Sequence, residues 1–152
     1  MRRKDREKDA GFALEVLRDC EYATLATINP DGTPFCIPIS PVLVEKSIYF
    51  HCAAEGQKLE NINQNDSVCV SCVRHTKLIP EDFATEYEST VAEGKCYIIS
   101  DEEEKTMALQ KICEKYAKSN MENADARIAE SLHRTCVCKI EIKKITGKAY
   151  YA

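Results

Sequence analysis

Apolar and polar positions alternate along most of this chain, and at four places the spacing lengthens to the threes and fours of a helix. Phe12, Ala13, Val16 and Leu17 share one helical face that ends near Arg18 and Asp19. Tyr22 to Ile28 then reads as a strand, and Asn29-Pro30-Asp31-Gly32 supplies the fixed φ and the positive φ of a tight turn. The second arm of that hairpin, Thr33 to Val44, carries Pro34, Pro38 and Pro41. Each lacks an amide donor, which predicts an edge or bulged strand. A short turn at Glu45-Lys46-Ser47 leads into a strand at Ile48 to Cys52. Beyond a loop at Ala53 to Gln57, Leu59 and Ile62 pair at helical spacing and predict a short helix.

Strand-like alternation resumes at Ser67 to Val73, and past a polar connector containing Pro80 a longer strand is predicted from Tyr87 to Ile99, broken at Gly94. Ser100 and Glu103 have the spacing of a capping box, so a helix should begin there, burying Ala108, Ile112 and Tyr116 with Leu109 and Cys113 beside them. A further helix is expected at about Ala124 to His133. The chain closes with Cys136, Cys138, Ile140 and Ile142 alternating with Lys139, Glu141 and Lys143, a strand with one face on a core. The predicted class is mainly β, α+β overall: antiparallel strands on short turns, with helices at the periphery. Such strands remove their exposed edges by closing into a small barrel.

Composition narrows this picture. At 152 residues, 44% hydrophobic and 30% charged, the chain fits one globular domain covering 1–152. A formal net charge of -4 opposes binding to nucleic acid or to anionic membranes. The mixed-charge start and the lack of an eighteen-residue apolar run point to a cytoplasmic protein that neither enters nor spans a membrane. Nine cysteines without an export signal read as reduced thiols that pack as small hydrophobes.

Candidate chemistry concentrates between Ile48 and Ile62, where a strand delivers His51 and Cys52 to its end and Lys58 stands in the opening turn of the next helix. Helix N-terminal amides beside an ammonium group can cradle a phosphate. The plain alternative is a solvated helix lysine next to a strand-end histidine.

The succession Tyr22-Ala23-Thr24-Leu25-Ala26-Thr27, Asp31-Gly32-Thr33-Pro34, Pro38-Ile39-Ser40, Ile48-Tyr49-Phe50-His51-Cys52-Ala53 and Gly56-Gln57-Lys58-Leu59-Glu60-Asn61-Ile62 resembles the Nim-type, 5-nitroimidazole-resistance branch of the pyridoxamine 5′-phosphate oxidase-like superfamily. Tyr87-Glu88-Ser89, Gly94-Lys95-Cys96 and Ile145-Thr146-Gly147-Lys148 extend the resemblance over nearly the whole chain. It implies a six-stranded antiparallel split β-barrel that forms a homodimer, with FMN at the subunit interface and FAD or haem as lesser alternatives. It also implies that Lys58 holds the phosphate, and that His51 with the backbone of Cys52 and Ala53 contacts phosphate or substrate. The flavin ring would lie against Pro38, Ile39 and Ser40, and Asn61 would give a supporting hydrogen bond. His51 is the implied catalytic residue, and Glu88 and Ser89 are candidates for donation across a dimer. The arginine-rich strand and phosphate signatures of true pyridoxamine 5′-phosphate oxidases are missing, which argues against vitamin B6 oxidation. The activity implied is electron transfer from a reduced nicotinamide to a small acceptor such as a nitro compound. The alternative is a flavin- or haem-binding module without turnover.

Other motifs carry less. Cys69-Val70-Ser71-Cys72 is formally a C-x-x-C, but residues three apart on a strand point to opposite faces. Cys136 and Cys138 share a face without a matching pair at helpful sequence spacing, so core packing and no metal site are expected. A catalytic thiol at Cys52 is the minority reading, and the acidic run Asp101 to Glu104 is explained by the helix dipole.

Overall fold

The computed structural model describes residues 2–152; Met1 lies outside the described residues. Its framework is one antiparallel sheet. The main strands are β2 (Ala23–Ile28), β3 (Pro34–Ile39), β4 (Val42–Val44), β5 (Ser47–Ala53), β6 (Ser67–Ile79), β7 (Ala84–Ile98) and β8 (Thr135–Tyr150), in the order β3-β2-β6-β7-β8-β5-β4. A two-residue strand, β1 (Glu7–Lys8), pairs with β8. Where six strands were expected, the described residues form eight, because Thr33 to Val44 divides at Ser40-Pro41 and Glu7–Lys8 adds to the sheet.

That division shapes the molecule. β3 and β4 stand at the two ends of the strand order, yet only Ser40 and Pro41 separate them in sequence. Since each residue of chain spans at most about 3.6 Å, the sheet must curl until its ends nearly meet at this corner. Pro41 is wholly buried there, and its carbonyl accepts hydrogen bonds from Lys115 Nζ and the Tyr116 hydroxyl, both at 2.8 Å. The prolines thus sit as their missing donors require, two on an end strand and one at the corner.

Residues facing inward from the curled sheet, among them Leu25, Ile48, Phe50, Val70 and Ile140, form the larger core together with Val16 and Leu17. The last two belong to α1 (Ala10–Asp19), which starts where the Asp9 carboxylate accepts from the Phe12 amide at 2.9 Å. A smaller core forms on the outer face of β5 and β8. There Tyr49 and Val137 meet Ala108, Leu109 and Ile112 of α3 (Glu102–Tyr116) and Ile128 of α4 (Ala124–Ser131). Glu104 of α3 fastens this layer by accepting from the Tyr49 hydroxyl at 2.7 Å and from Lys139 Nζ at 2.9 Å.

Some boundaries differ from the sequence reading. The helix expected to be capped by Ser100 is capped one residue later, where Asp101 accepts from the Glu104 amide at 2.7 Å. Both side chains can cap, and the backbone leaves the extended region at Asp101. The polar connector around Pro80 is mostly strand: β6 and β7 form a long hairpin through Ile79 and Ala84, with a bulge between Arg74 and Lys77. Gly94 does not break β7 but marks its register shift against β8, where a Cβ would lie 2.2 Å from the Glu141 carbonyl oxygen. Tyr116, expected in the core, is exposed, with its hydroxyl on the corner.

Candidate functional site: the split between two strand edges

β4 pairs with β5 only through Val42–Val44 and Ser47–Tyr49, while Phe50 to Ala53 continue to pair with β8 on the other side. β3 pairs along its length with β2. Beyond the Ser40-Pro41 corner, therefore, the end of β5 and the end of β3 face each other without a shared ladder. The gap between them is a cleft of about 400 Å³ lined by Tyr22, Pro38, Ile39, Ser40, His51, Cys52 and Lys58, with Ile37 beside them.

The Lys58 side of the cleft is set by α2 (Gln57–Gln64). It begins at Gly56, whose φ of 129° is open to glycine at little cost, and the Leu59 amide donates to the Gly56 carbonyl at 2.9 Å. Leu59 and Ile62 anchor the helix in the barrel core, which turns Lys58 toward the cleft. Asn61 is not on the cleft. It is wholly buried, its amide donates to Thr27 Oγ1 and Asn29 Oδ1 at 2.9 Å each, and its carbonyl oxygen accepts from Gln57 Nε2 at 3.0 Å. These bonds tie α2 to β2 and hold the lysine's turn in place.

Of the residues singled out from sequence, Pro38, Ile39, Ser40, His51, Cys52 and Lys58 come together on this cleft. Ala53 lines a second cavity instead, of about 480 Å³, on the outer face of the same strand end. Leu109, Ile112 and Ile128 also line it, with Arg127 and Arg134. Glu88 is remote from both: it is buried and bound to Arg74 at 2.5 Å and to the Tyr151 hydroxyl at 2.6 Å. Burial alone would raise the Glu88 carboxyl, but those hydrogen bonds outweigh it and hold its pKa below the usual range. Ser89 donates to the Lys148 carbonyl within the sheet. Sequence reading passed over Tyr22, which lines the cleft while remaining 65% exposed. An exposed aromatic at the head of a strand, beside the segment carrying the prolines, was the available signal.

The electrostatics of the strand end differ by face. His51 keeps an exposed edge, but the protein around the rest of its ring pulls its pKa below the ordinary imidazole value, so the neutral form prevails at pH 7. Cys52 points the other way, into the barrel, where its Sγ lies within 4.8 Å of those of Cys136 and Cys138, and theirs of each other. Hydrogen bonding with Cys138 and Cys52 lowers the pKa of Cys136, while hydrogen bonding with Cys136 raises those of the other two. The third thiol comes from β5, where Cys52 stands opposite Cys136, a neighbour that spacing along the chain does not reveal. Cys69 and Cys72 lie on opposite faces of β6, Cys69 half-buried and Cys72 in the core.

No curated protein matches the chain. Among solved structures it is similar to a proposed 5-nitroimidazole antibiotic resistance protein from Bacteroides thetaiotaomicron, at 24% identity and TM-score 0.80 over 93% of this chain and 84% of that one. It is also similar to the flavocytochrome Anf3 from Azotobacter vinelandii (17%, TM-score 0.76, 100% of this chain and 72% of that one). A FAD-binding protein from Mesorhizobium loti matches at 16% and TM-score 0.69, over 96% of this chain and 98% of that one. At these identities the likeness is one of fold. Residues 9–149, by contrast, match a protein-family model directly, and the chain belongs to the family described as pyridoxamine 5′-phosphate oxidase.

Proposed function

We propose that the chain is a flavin-dependent oxidoreductase of the nitroimidazole-resistance type, binding FMN in the cleft between β3 and β5 as a homodimer. The observation that carries this reading is the convergence of two sequence segments, Pro38 to Ser40 and His51 to Lys58, on one cleft of ligand size. The donor set fits a flavin phosphate. A lysine in the first turn of a helix stands beside backbone amides that have no partner within that helix. The free edges of two strands offer amides and carbonyls to a flat polar ring. The similar flavocytochrome and FAD-binding protein support a flavin in this fold.

A bound flavin would supply the redox chemistry between a reduced nicotinamide and a small acceptor such as a nitro compound. The protein's part is placement. Lys58 and the start of α2 would fix the phosphate, the strand of Pro38, Ile39 and Ser40 would back the ring, and the Asn61 bonds would keep α2 in position. Neutral His51 would hold a proton on one ring nitrogen and accept at the other, at the edge where an acceptor enters. A second copy of the chain would cover the open side of the cleft. Phe83, 99% exposed at the β6–β7 turn, and Leu78, 74% exposed, are apolar surface that dimerisation would cover.

The test is the visible spectrum of the purified protein, followed by release of the chromophore and its identification by mass. One FMN per chain, with oxidation of reduced nicotinamide on adding a nitroimidazole, is the expected result. Full flavin loading without turnover would favour a flavin-binding module, and a protein that takes up no flavin would end the proposal.

A further inference from the structure

We propose that Cys52, Cys136 and Cys138 form a binding site for one copper(I) ion inside the barrel, behind the cleft. Cys136 and Cys138 are two apart on β8 and share its inner face, and Cys52 of β5 is the register partner of Cys136. Three sulfurs are therefore held on two hydrogen-bonded strands, each within 4.8 Å of the others. Three thiolates sharing one ion at roughly 2.3 Å each stand about 4 Å apart. A contraction of at most about 0.8 Å would close the set.

The chemistry of the donors selects the ion. Thiolate is a soft ligand suited to copper(I) and zinc, and hard cations prefer oxygen. A structural zinc site takes four ligands, and the group here has three. His51, the adjacent imidazole, alternates to the opposite face of β5 and does not join it. Cys96 also hydrogen-bonds with Cys138 but is not among the three that lie within mutual reach. A monovalent d¹⁰ ion accepts three-coordination. Lys58 and Lys105 set positive charge near Cys136, which offsets the excess negative charge of such a complex. Access runs through Cys52: Cys136 and Cys138 are buried, while Cys52 is half-buried and lines both the cleft and the outer cavity. Packing alone would account for any one of these cysteines as a small hydrophobe, but it does not require three sulfurs to meet at one point.

The test is anaerobic titration of the reduced, full-length protein, with and without flavin, using copper(I) supplied as its acetonitrile complex against a competing chelator. The readouts are copper per chain, the ultraviolet sulfur-to-copper charge-transfer band, and mass-spectrometric mapping of cysteines protected from alkylation. The expected result is one copper per chain, with half-buried Cys52 alkylated in the copper-free protein and protected once copper is bound, and exposed Cys36 alkylated in both, whether or not flavin is bound. Cys52→Ser, at the accessible ligand, should weaken binding at least a hundredfold, and Cys36→Ser should not change it. Mapping on the unmodified protein needs no variant to fold. A gain of protection on copper binding at a cysteine outside these three with none at Cys52, unchanged affinity in a folded Cys52→Ser, or preference for zinc(II) over copper(I) would overturn the proposal. Because the readouts do not depend on flavin or turnover, failure here is separate from failure of the proposed oxidoreductase.

Discussion

Two cavities meet at the end of β5, and they are built by different means. The cleft in the split takes its walls from β3, from β5 and from the first turn of α2, segments that lie within about forty residues of one another. The outer cavity takes its floor from α3 and α4 and its arginines from beyond residue 126, while sharing His51 and Cys52 with the cleft. The first is local in sequence and places one lysine against backbone edges. The second is distant in sequence and sets two arginines among the apolar side chains of two helices. A ligand phosphate could find a cation in either, so variants in each cavity are needed to tell which would take the proposed flavin.

The largest effect should come from the strand beneath both. Phe50 is wholly buried, and Phe50→Ala should cost about 3–5 kcal/mol of stability by leaving a cavity in the barrel core. Denaturant unfolding measures this, and a loss well below that range would mean that the core collapses round the gap. Next, Lys58→Ala should weaken FMN binding by roughly tenfold to a hundredfold, the equivalent of about 1.5–3 kcal/mol for a charge-assisted hydrogen bond. Arg134→Ala should leave FMN affinity unchanged, and the reverse ranking by fluorescence titration would move the flavin to the outer cavity. Gly56→Ala is smaller. Nothing crowds a Cβ there, but the φ of 129° is strained for alanine, so about 1 kcal/mol or more should be lost, with weaker FMN binding as α2 shifts.

The smallest effect concerns the fastening of the outer layer. Hydrogen bonds from Lys139 and then from Tyr49 hold the Glu104 carboxyl below its ordinary value of 4.5. A depressed acid contributes stability above that value and loses it as pH falls through the lowered folded value. Lys139 is raised by the same contact, so its part is present below its ordinary 10.5 and is lost as pH rises through the raised value. Glu104→Gln should remove both limbs, lowering stability at pH 7 by about 0.2–1 kcal/mol while flattening the acid slope of thermal melts. Equal acid slopes in the two proteins would show that the contact is lost in solution.

β2, β5, α1 and α2 were legible because each places several apolar residues at its own period within a short window. Six cleft residues were legible through a resemblance and a strand-to-helix lysine. The helix cap slipped by one residue because Ser100 and Asp101 are both competent caps. The run from Arg74 to Ile79 looked like a connector because its alternation is polar: it is a strand exposed on a hairpin, where burial does not enforce a pattern.

What the sequence determined by itself was the alternation that makes a sheet, the prolines that keep Thr33 to Ser40 at an end of it, and the lysine at the head of α2. Those are short-range effects of side-chain period, missing amide donors and backbone torsion. The tertiary structure decided which strands became neighbours. The pairing of β5 with β8 brought Cys52 to Cys136 across more than eighty residues, and the curl of the sheet brought β3 to face β5. Neither meeting has a signature in the spacing along the chain, because each depends on register and on a corner at Ser40-Pro41 that only the curled sheet fixes.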